Sequence, residues 1–140
     1  MSQSLPEQVV LDASIAVRWF FSDEPLHTEA LAYCDQLVEQ STRAIVPHVF
    51  WSELVHVLAR KSGRDQDFVT KSASLCCRLG LRTLSLDEAA WQQVANYTCQ
   101  GLSGYDATYL ALATSLGVPW LTADAQAAKK VAGPCVYLLS

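Results

Sequence analysis

Short runs of strand-forming residues alternate with helical patterns along the whole chain. The predicted strands cover residues 9–11, 44–46, 82–84, 120–122 and 136–139. The predicted helices cover 28–40, 49–61, about 65–79, about 87–97, 103–116 and 124–131. Alternation of this kind favours a parallel sheet with helices on both faces. Because no repeat, linker or low-complexity stretch interrupts it, we predict one domain over residues 1–140.

Composition limits the classes of protein that this chain can belong to. Hydrophobic residues make up 51% of 140 residues, which predicts a substantial core rather than disorder. The formal charge is −4, so the chain lacks the overall basic character that is typical of nucleic-acid binding. Its five cysteines lack the spacing of a zinc or redox motif, which favours a reduced protein. With no signal peptide or apolar stretch of ~18 residues, we expect a soluble, cytoplasmic protein without a membrane span.

Two acidic residues follow predicted strands directly. Asp12 ends the first strand in VVLD, and Asp124 follows the fourth in LTAD. Ligands of open α/β sheets bind beyond the carboxyl ends of the strands, so both side chains are expected at that edge. Each position also suits a helix cap, which is the simpler interpretation of either residue alone.

Two further carboxylates fall on the apolar faces of predicted helices. Glu53 lies within the stripe formed by Phe50, Leu54, Val57 and Leu58, where a charge breaks the binary pattern. It indicates either a metal or catalytic role or a buried ion pair with an arginine. Asp106 lies three residues after Ser103, which allows a capping box, but it shares a helical face with apolar residues.

Together the four carboxylates predict one acidic pocket. Such pockets usually hold a hard divalent cation, which points to metal-dependent phosphodiester chemistry. The three histidines form no metal-binding pair, so zinc is disfavoured.

The order of these segments resembles the PIN domain family, and specifically its bacterial VapC-type toxin ribonucleases. The resemblance rests on VVLDASIAVRWF, PHVFWSELVHVLAR and LSGYDATYLALATSLGVPWLTAD. It implies a three-layer α/β/α sandwich with a central, mostly parallel, five-stranded sheet. It also implies that Asp12, Glu53, Asp106 and Asp124 bind Mg²⁺ or Mn²⁺ and form the catalytic set. Hydroxyl residues at Ser14 and Thr122 would support that site.

This resemblance implies a metal-dependent endoribonuclease that cleaves RNA through a metal-activated water. The products would carry a 5′-phosphate and a 3′-hydroxyl. The family further implies the toxin component of a type II toxin–antitoxin pair, a homodimer, and a cognate antitoxin protein that blocks the acidic groove.

Two other functions remain open at the level of sequence. The first is an α/β phosphoacceptor or phosphatase with Asp12 as the nucleophile, although Ala13 and Ser14 stand where a second acid is usual. The second is a non-catalytic RNA- or protein-binding module with the same fold, because fold alone does not determine function.

Overall fold

The computed structural model describes residues 5–131 and 136–139. Within them lies a five-stranded sheet in the order β3-β2-β1-β4-β5, and every neighbouring pair is parallel. The strands are β1 (Gln8–Leu11), β2 (Arg43–Pro47), β3 (Arg82–Leu84), β4 (Trp120–Thr122) and β5 (Val136–Leu138). All five were predicted, with small differences at their ends.

Seven helices connect these strands in the described residues. They are α1 (Ala13–Arg18), α2 (His27–Val38), α3 (Val49–Lys61), α4 (Gln66–Cys77), α5 (Glu88–Cys99), α6 (Gly104–Leu116) and α7 (Ala125–Lys130). Only α1 was missed by the sequence prediction, because six residues make fewer than two turns and show no clear periodicity.

Helices cover both faces of the sheet, which confirms the predicted three-layer α/β/α class. Consecutive β1 residues Val9, Val10 and Leu11 are all fully buried, although neighbouring side chains on a strand point to opposite faces. Helix α1 packs against α2 and α3, α3 packs against α4, and α5 packs against α6. The sheet is entirely parallel in the described residues, as the alternating pattern indicated.

Helix α6 is the most buried helix of the fold. Seven consecutive residues, 107–113, are buried, because α6 contacts the central strands and also packs against α5. Both ends of α6 are capped: the Ser103 side chain caps the start, and Gly117 ends the helix at a φ of 68°. This left-handed conformation favours glycine, as the sequence suggested.

No helix in the described ranges is long and apolar enough to cross a membrane. The longest of them, α3 and α6, contain 13 residues each. A membrane-spanning helix requires about 20 apolar residues.

The burial of α6 predicts a large difference between two leucines on that helix. Leu110 is 1% exposed and Leu116 is 39% exposed. Leu110→Ala should lower the free energy of unfolding by about 2–5 kcal/mol, because it leaves a cavity between α6 and its neighbours. Leu116→Ala should cost less than about 1 kcal/mol. Equal losses in chemical denaturation would contradict this placement of α6.

Candidate active site

All four predicted carboxylates line one cavity of about 280 Å³. Asp12 follows β1 and Asp124 lies two residues after β4. These strands are neighbours in the sheet, so their carboxyl ends bring both residues to one edge. Glu53 in α3 and Asp106 in the first turn of α6 complete the lining. The structure therefore brings together side chains that are up to 112 positions apart in sequence, since 124 − 12 = 112.

Asp12 is the most buried of the four carboxylates, with 8% of its surface exposed. Its Oδ2 accepts a hydrogen bond from the Ser14 backbone N–H at 3.1 Å, which caps α1. Its Oδ1 accepts from the Trp120 indole N–H at 3.2 Å. Burial raises the pKa of Asp12 to about 6, the hydrogen bonds oppose that rise, and repulsion from Asp106 adds to it. Asp12 therefore caps α1 and also lines the cavity.

Glu53 has the least satisfied carboxylate in the cavity. Its Oε1 is buried, and no described residue forms a hydrogen bond with it. Burial raises the pKa of Glu53 to about 7, with a further rise from the negative charge of Asp12. The Tyr109 hydroxyl lies near enough to lower this pKa, but the pair lacks the geometry of a complete hydrogen bond. Among the described residues no arginine pairs with Glu53, so the alternative of a buried ion pair is wrong there.

Asp106 and Asp124 differ in whether their side chains cap a helix. The Ser103 hydroxyl accepts from the Asp106 backbone N–H, so Ser103 forms the cap and the Asp106 side chain lines the cavity. Burial and repulsion from Asp124 raise the pKa of Asp106. Asp124 Oδ1 accepts from the backbone N–H groups of Gln126 and Ala127 at 2.9 and 3.2 Å. Asp124 is thus a helix cap, as its position alone suggested, and it also borders the cavity.

The two predicted supporting hydroxyl groups connect neighbouring parts of the site. Ser14 Oγ accepts a hydrogen bond from the Ala123 backbone N–H at 3.1 Å, which joins α1 to the end of β4. Thr122 is fully buried, and its Oγ1 accepts from the Asp124 backbone N–H at 3.1 Å. Ser14 lines the cavity, whereas Thr122 does not.

Two aromatic residues with a place in this site were not identified from the sequence. Trp120 donates to Asp12, and its ring stacks on Tyr109 with centroids 6.0 Å apart and an interplanar angle of 4°. Tyr109 in turn lies beside Glu53. The only signal in the sequence was that Tyr109 shares a helical face with Asp106.

The donor set suits a hard cation, but its geometry is not that of a closed metal cage. Nowhere in residues 5–131 or 136–139 do three or more His, Cys, Asp or Glu side chains converge in a ligand arrangement. However, the cavity offers only oxygen ligands, and Glu53 Oε1 is buried without a partner. Carboxylate oxygens are the ligands that Mg²⁺ and Mn²⁺ prefer. The residues therefore fit such an ion in chemistry, while the prediction that all four bind it stays a prediction.

Comparison with known proteins agrees with this architecture. The PIN domain family profile matches residues 9–134, so the chain belongs to the PIN domain family. Fifteen chains of known structure match, and one is the crystal structure of VapC20 from Mycobacterium tuberculosis, described as a sarcin-ricin loop cleaving toxin. The TM-score is 0.68 at 14% sequence identity, and the match covers 86% of this chain and 93% of that one. A search of curated protein sequences finds no match.

The raised pKa values predict how stability depends on pH without metal. In the folded state the pKa of Asp12 is about 6 and that of Glu53 about 7, above their ordinary values of 3.8 and 4.5. The folded state therefore binds more protons than the unfolded state between about pH 4 and 7. In EDTA the free energy of unfolding should fall as pH rises through this window.

The variant Asp12→Asn should remove part of this pH dependence. Measured as the difference from the wild type, its free energy of unfolding should be about 1–2 kcal/mol more favourable at pH 8 than at pH 4. This change adds to a loss that does not depend on pH, because the Asn amide keeps only one of the two oxygens that accept from Ser14 and Trp120. Asp67→Asn, at a mostly exposed surface pair, is the matched control and should change little. Denaturant unfolding at both pH values measures the effect. A wild type that becomes more stable from pH 5 to pH 8 would contradict the buried-carboxylate electrostatics.

Proposed function

We propose that this chain is a metal-dependent endoribonuclease and the toxin component of a type II toxin–antitoxin pair. The observation that carries the proposal is the cavity at the carboxyl ends of β1 and β4, where Asp12, Glu53, Asp106 and Asp124 meet from four parts of the fold. Membership of the PIN domain family and the structural likeness to a toxin support it. The specific assignment as a toxin rests on that likeness and on the resemblance in sequence.

In this proposal Asp12, Glu53 and Asp106 hold Mg²⁺ or Mn²⁺, with Asp124 at the edge of the set. A bound ion of this kind supplies a nucleophilic water at neutral pH and stabilises negative charge on the phosphate. The protein contributes the orientation of the ligands. Trp120 and the Ser14 backbone fix the two oxygens of Asp12, and the α7 cap fixes one oxygen of Asp124.

Protonation of Glu53 makes the proposed cation binding at this site depend on pH. With a pKa of about 7, the Glu53 carboxyl carries a proton in a large fraction of metal-free molecules near neutral pH. That proton must leave before the carboxylate can bind a cation. Its buried, unpartnered Oε1 gives the cation an oxygen that no described protein group already uses.

We also propose a homodimer and a separate antitoxin as partners, on the basis of the resemblance to toxin ribonucleases. Two exposed aromatic side chains, Trp91 and Tyr105, border one apolar groove beside the N-termini of α3 and α6 and offer a surface for such a partner. An arginine from the antitoxin would pair with the carboxylates and compete with the cation.

Cleavage of defined RNAs tests the proposed activity. Wild-type protein should cut structured RNAs at discrete positions with Mg²⁺ or Mn²⁺, leave 5′-phosphate ends, and lose activity in EDTA. Glu53→Gln and Asp106→Asn should each lower kcat by at least about 10²-fold, because each removes a charged ligand of the same ion. Single-stranded DNA of matched sequence tests the preference for RNA.

The control for contamination is Asp67→Asn, purified in parallel, which should retain full activity because Asp67 is exposed and away from the cavity. Equal cleavage by Glu53→Gln and wild type would contradict the proposal. Metal binding without any cleavage would favour the non-catalytic module instead. Induced expression in bacteria tests the toxin assignment, since the wild type should arrest growth and Glu53→Gln should not.

A further inference from the structure

Three cationic side chains, Arg18, Arg60 and Lys61, line the same cavity as the carboxylates. They come from the ends of α1 and α3. An acidic site that takes in RNA must also attract and orient a polyanion, so the state of each cation matters.

Two of these cationic side chains already bind other groups of the protein. Arg18 Nε donates to the Pro25 carbonyl at 2.9 Å, and one of its terminal nitrogens donates to the Ser14 carbonyl at 2.7 Å. These bonds tie the end of α1 to the loop before α2. Lys61 forms an ion pair with Glu24 and lies over the Phe21 ring, with its nitrogen 5.0 Å from the ring centroid. Both side chains are therefore fixed by protein partners.

Arg60 differs from its two neighbours. It is exposed, and within the part of the chain that the structure describes its side chain forms no hydrogen bond or ion pair. Arg60 follows Glu53 by seven positions on α3, with Val57 between them, so the three share one face of the helix. Along this face exposure increases from the half-buried Glu53 to the exposed Arg60.

An unpaired guanidinium in an acidic cavity has two possible roles. It could neutralise the carboxylates as a structural counter-ion, or it could remain available for an anion that enters. The first role requires a close contact with a carboxylate, and none of 4.0 Å or less forms among the described residues. The planar guanidinium offers five donors in a fork that matches two phosphate oxygens.

We propose that Arg60 is a positioning residue that binds a backbone phosphate of the RNA next to the one that is cut. This inference rests on the proposed ribonuclease activity of the same site. At 1.5 Å per residue, Arg60 lies roughly 10 Å along α3 from Glu53. That separation is too long for the guanidinium to share the phosphate held at Glu53, so it meets a neighbouring backbone phosphate instead. Lys61 and Arg18 keep the end of α3 and the cavity wall in place around it.

Kinetics and binding of three variants test this role. Arg60→Gln should raise KM about 5- to 30-fold and change kcat less than about threefold, because it removes a contact made in both ground and transition states. Arg60→Lys should recover part of the loss, since it keeps the charge but not the fork. Arg64→Gln is the matched control, because Arg64 is an exposed arginine four residues later that does not line the cavity.

Salt dependence distinguishes a phosphate contact from a structural role. Binding of a labelled single-stranded RNA, followed by anisotropy in the inactive Glu53→Gln background, should weaken with salt. Adding Arg60→Gln should reduce the slope of log K against log salt by about 0.7, as expected for one lost phosphate contact. Thermal unfolding of Arg60→Gln should match that of its parent.

The outcomes distinguish the role of Arg60 from the ribonuclease activity. If the wild type cleaves RNA but Arg60→Gln keeps its KM and salt slope, the role of Arg60 is wrong and the ribonuclease proposal stands. If Arg60→Gln instead loses stability and kcat, Arg60 is a structural counter-ion and the inference fails. If the wild type neither binds nor cleaves any RNA, both proposals fail together.

Discussion

The hydrogen bond from the Trp120 indole N–H to Asp12 joins the start of β4 to the residue that follows the neighbouring strand β1. It fixes a carboxylate that is almost completely buried, and the ring that donates it stacks on Tyr109 of α6. Tyr109 then lies against Glu53 of α3. One chain of contacts thus connects the sheet, the central helix and the helix that carries the least satisfied acid. These contacts position Asp12 and Glu53 relative to each other.

Burying several carboxylates together costs stability in the metal-free protein. The fold limits that cost with hydrogen bonds from backbone N–H groups at helix starts, which Asp12 and Asp124 accept. Glu53 receives no such compensation, and its pKa rises to about 7 so that a proton can occupy the buried group. A cation that replaces this proton would reduce the repulsion between the carboxylates. It would also compensate the buried Glu53 carboxylate for its lost contact with water. The instability of the empty site is therefore the physical basis of the affinity that we propose.

Much of this fold could be predicted because local signals agree with one another. Strand runs, caps such as Ser103 and the stop at Gly117 each mark an element boundary without tertiary information. Helix α1 was missed because it is short, and its cap was weighed only as an alternative role for Asp12. The bond between Trp120 and Asp12 spans 108 positions, and no local pattern indicates which donor meets a buried acid. The sequence predicted that the four acids share one pocket. Which of them accepts hydrogen bonds, which caps a helix and which is exposed depends on tertiary packing.

Binding of Mn²⁺ to this 140-residue chain in the absence of RNA tests the central claim most directly, because it isolates the carboxylate site from catalysis. Calorimetry at pH 8 should show saturable binding with little release of protons, because Asp12 and Glu53 are already ionised there. At pH 6 binding should weaken and should release protons, because the cation then displaces them from these carboxyl groups. Glu53→Gln should weaken the affinity by at least about tenfold, while Asp67→Asn should bind as the wild type does. Undetectable binding by the wild type, or equal affinity in wild type and Glu53→Gln, would contradict the proposal that these acids form one cation site.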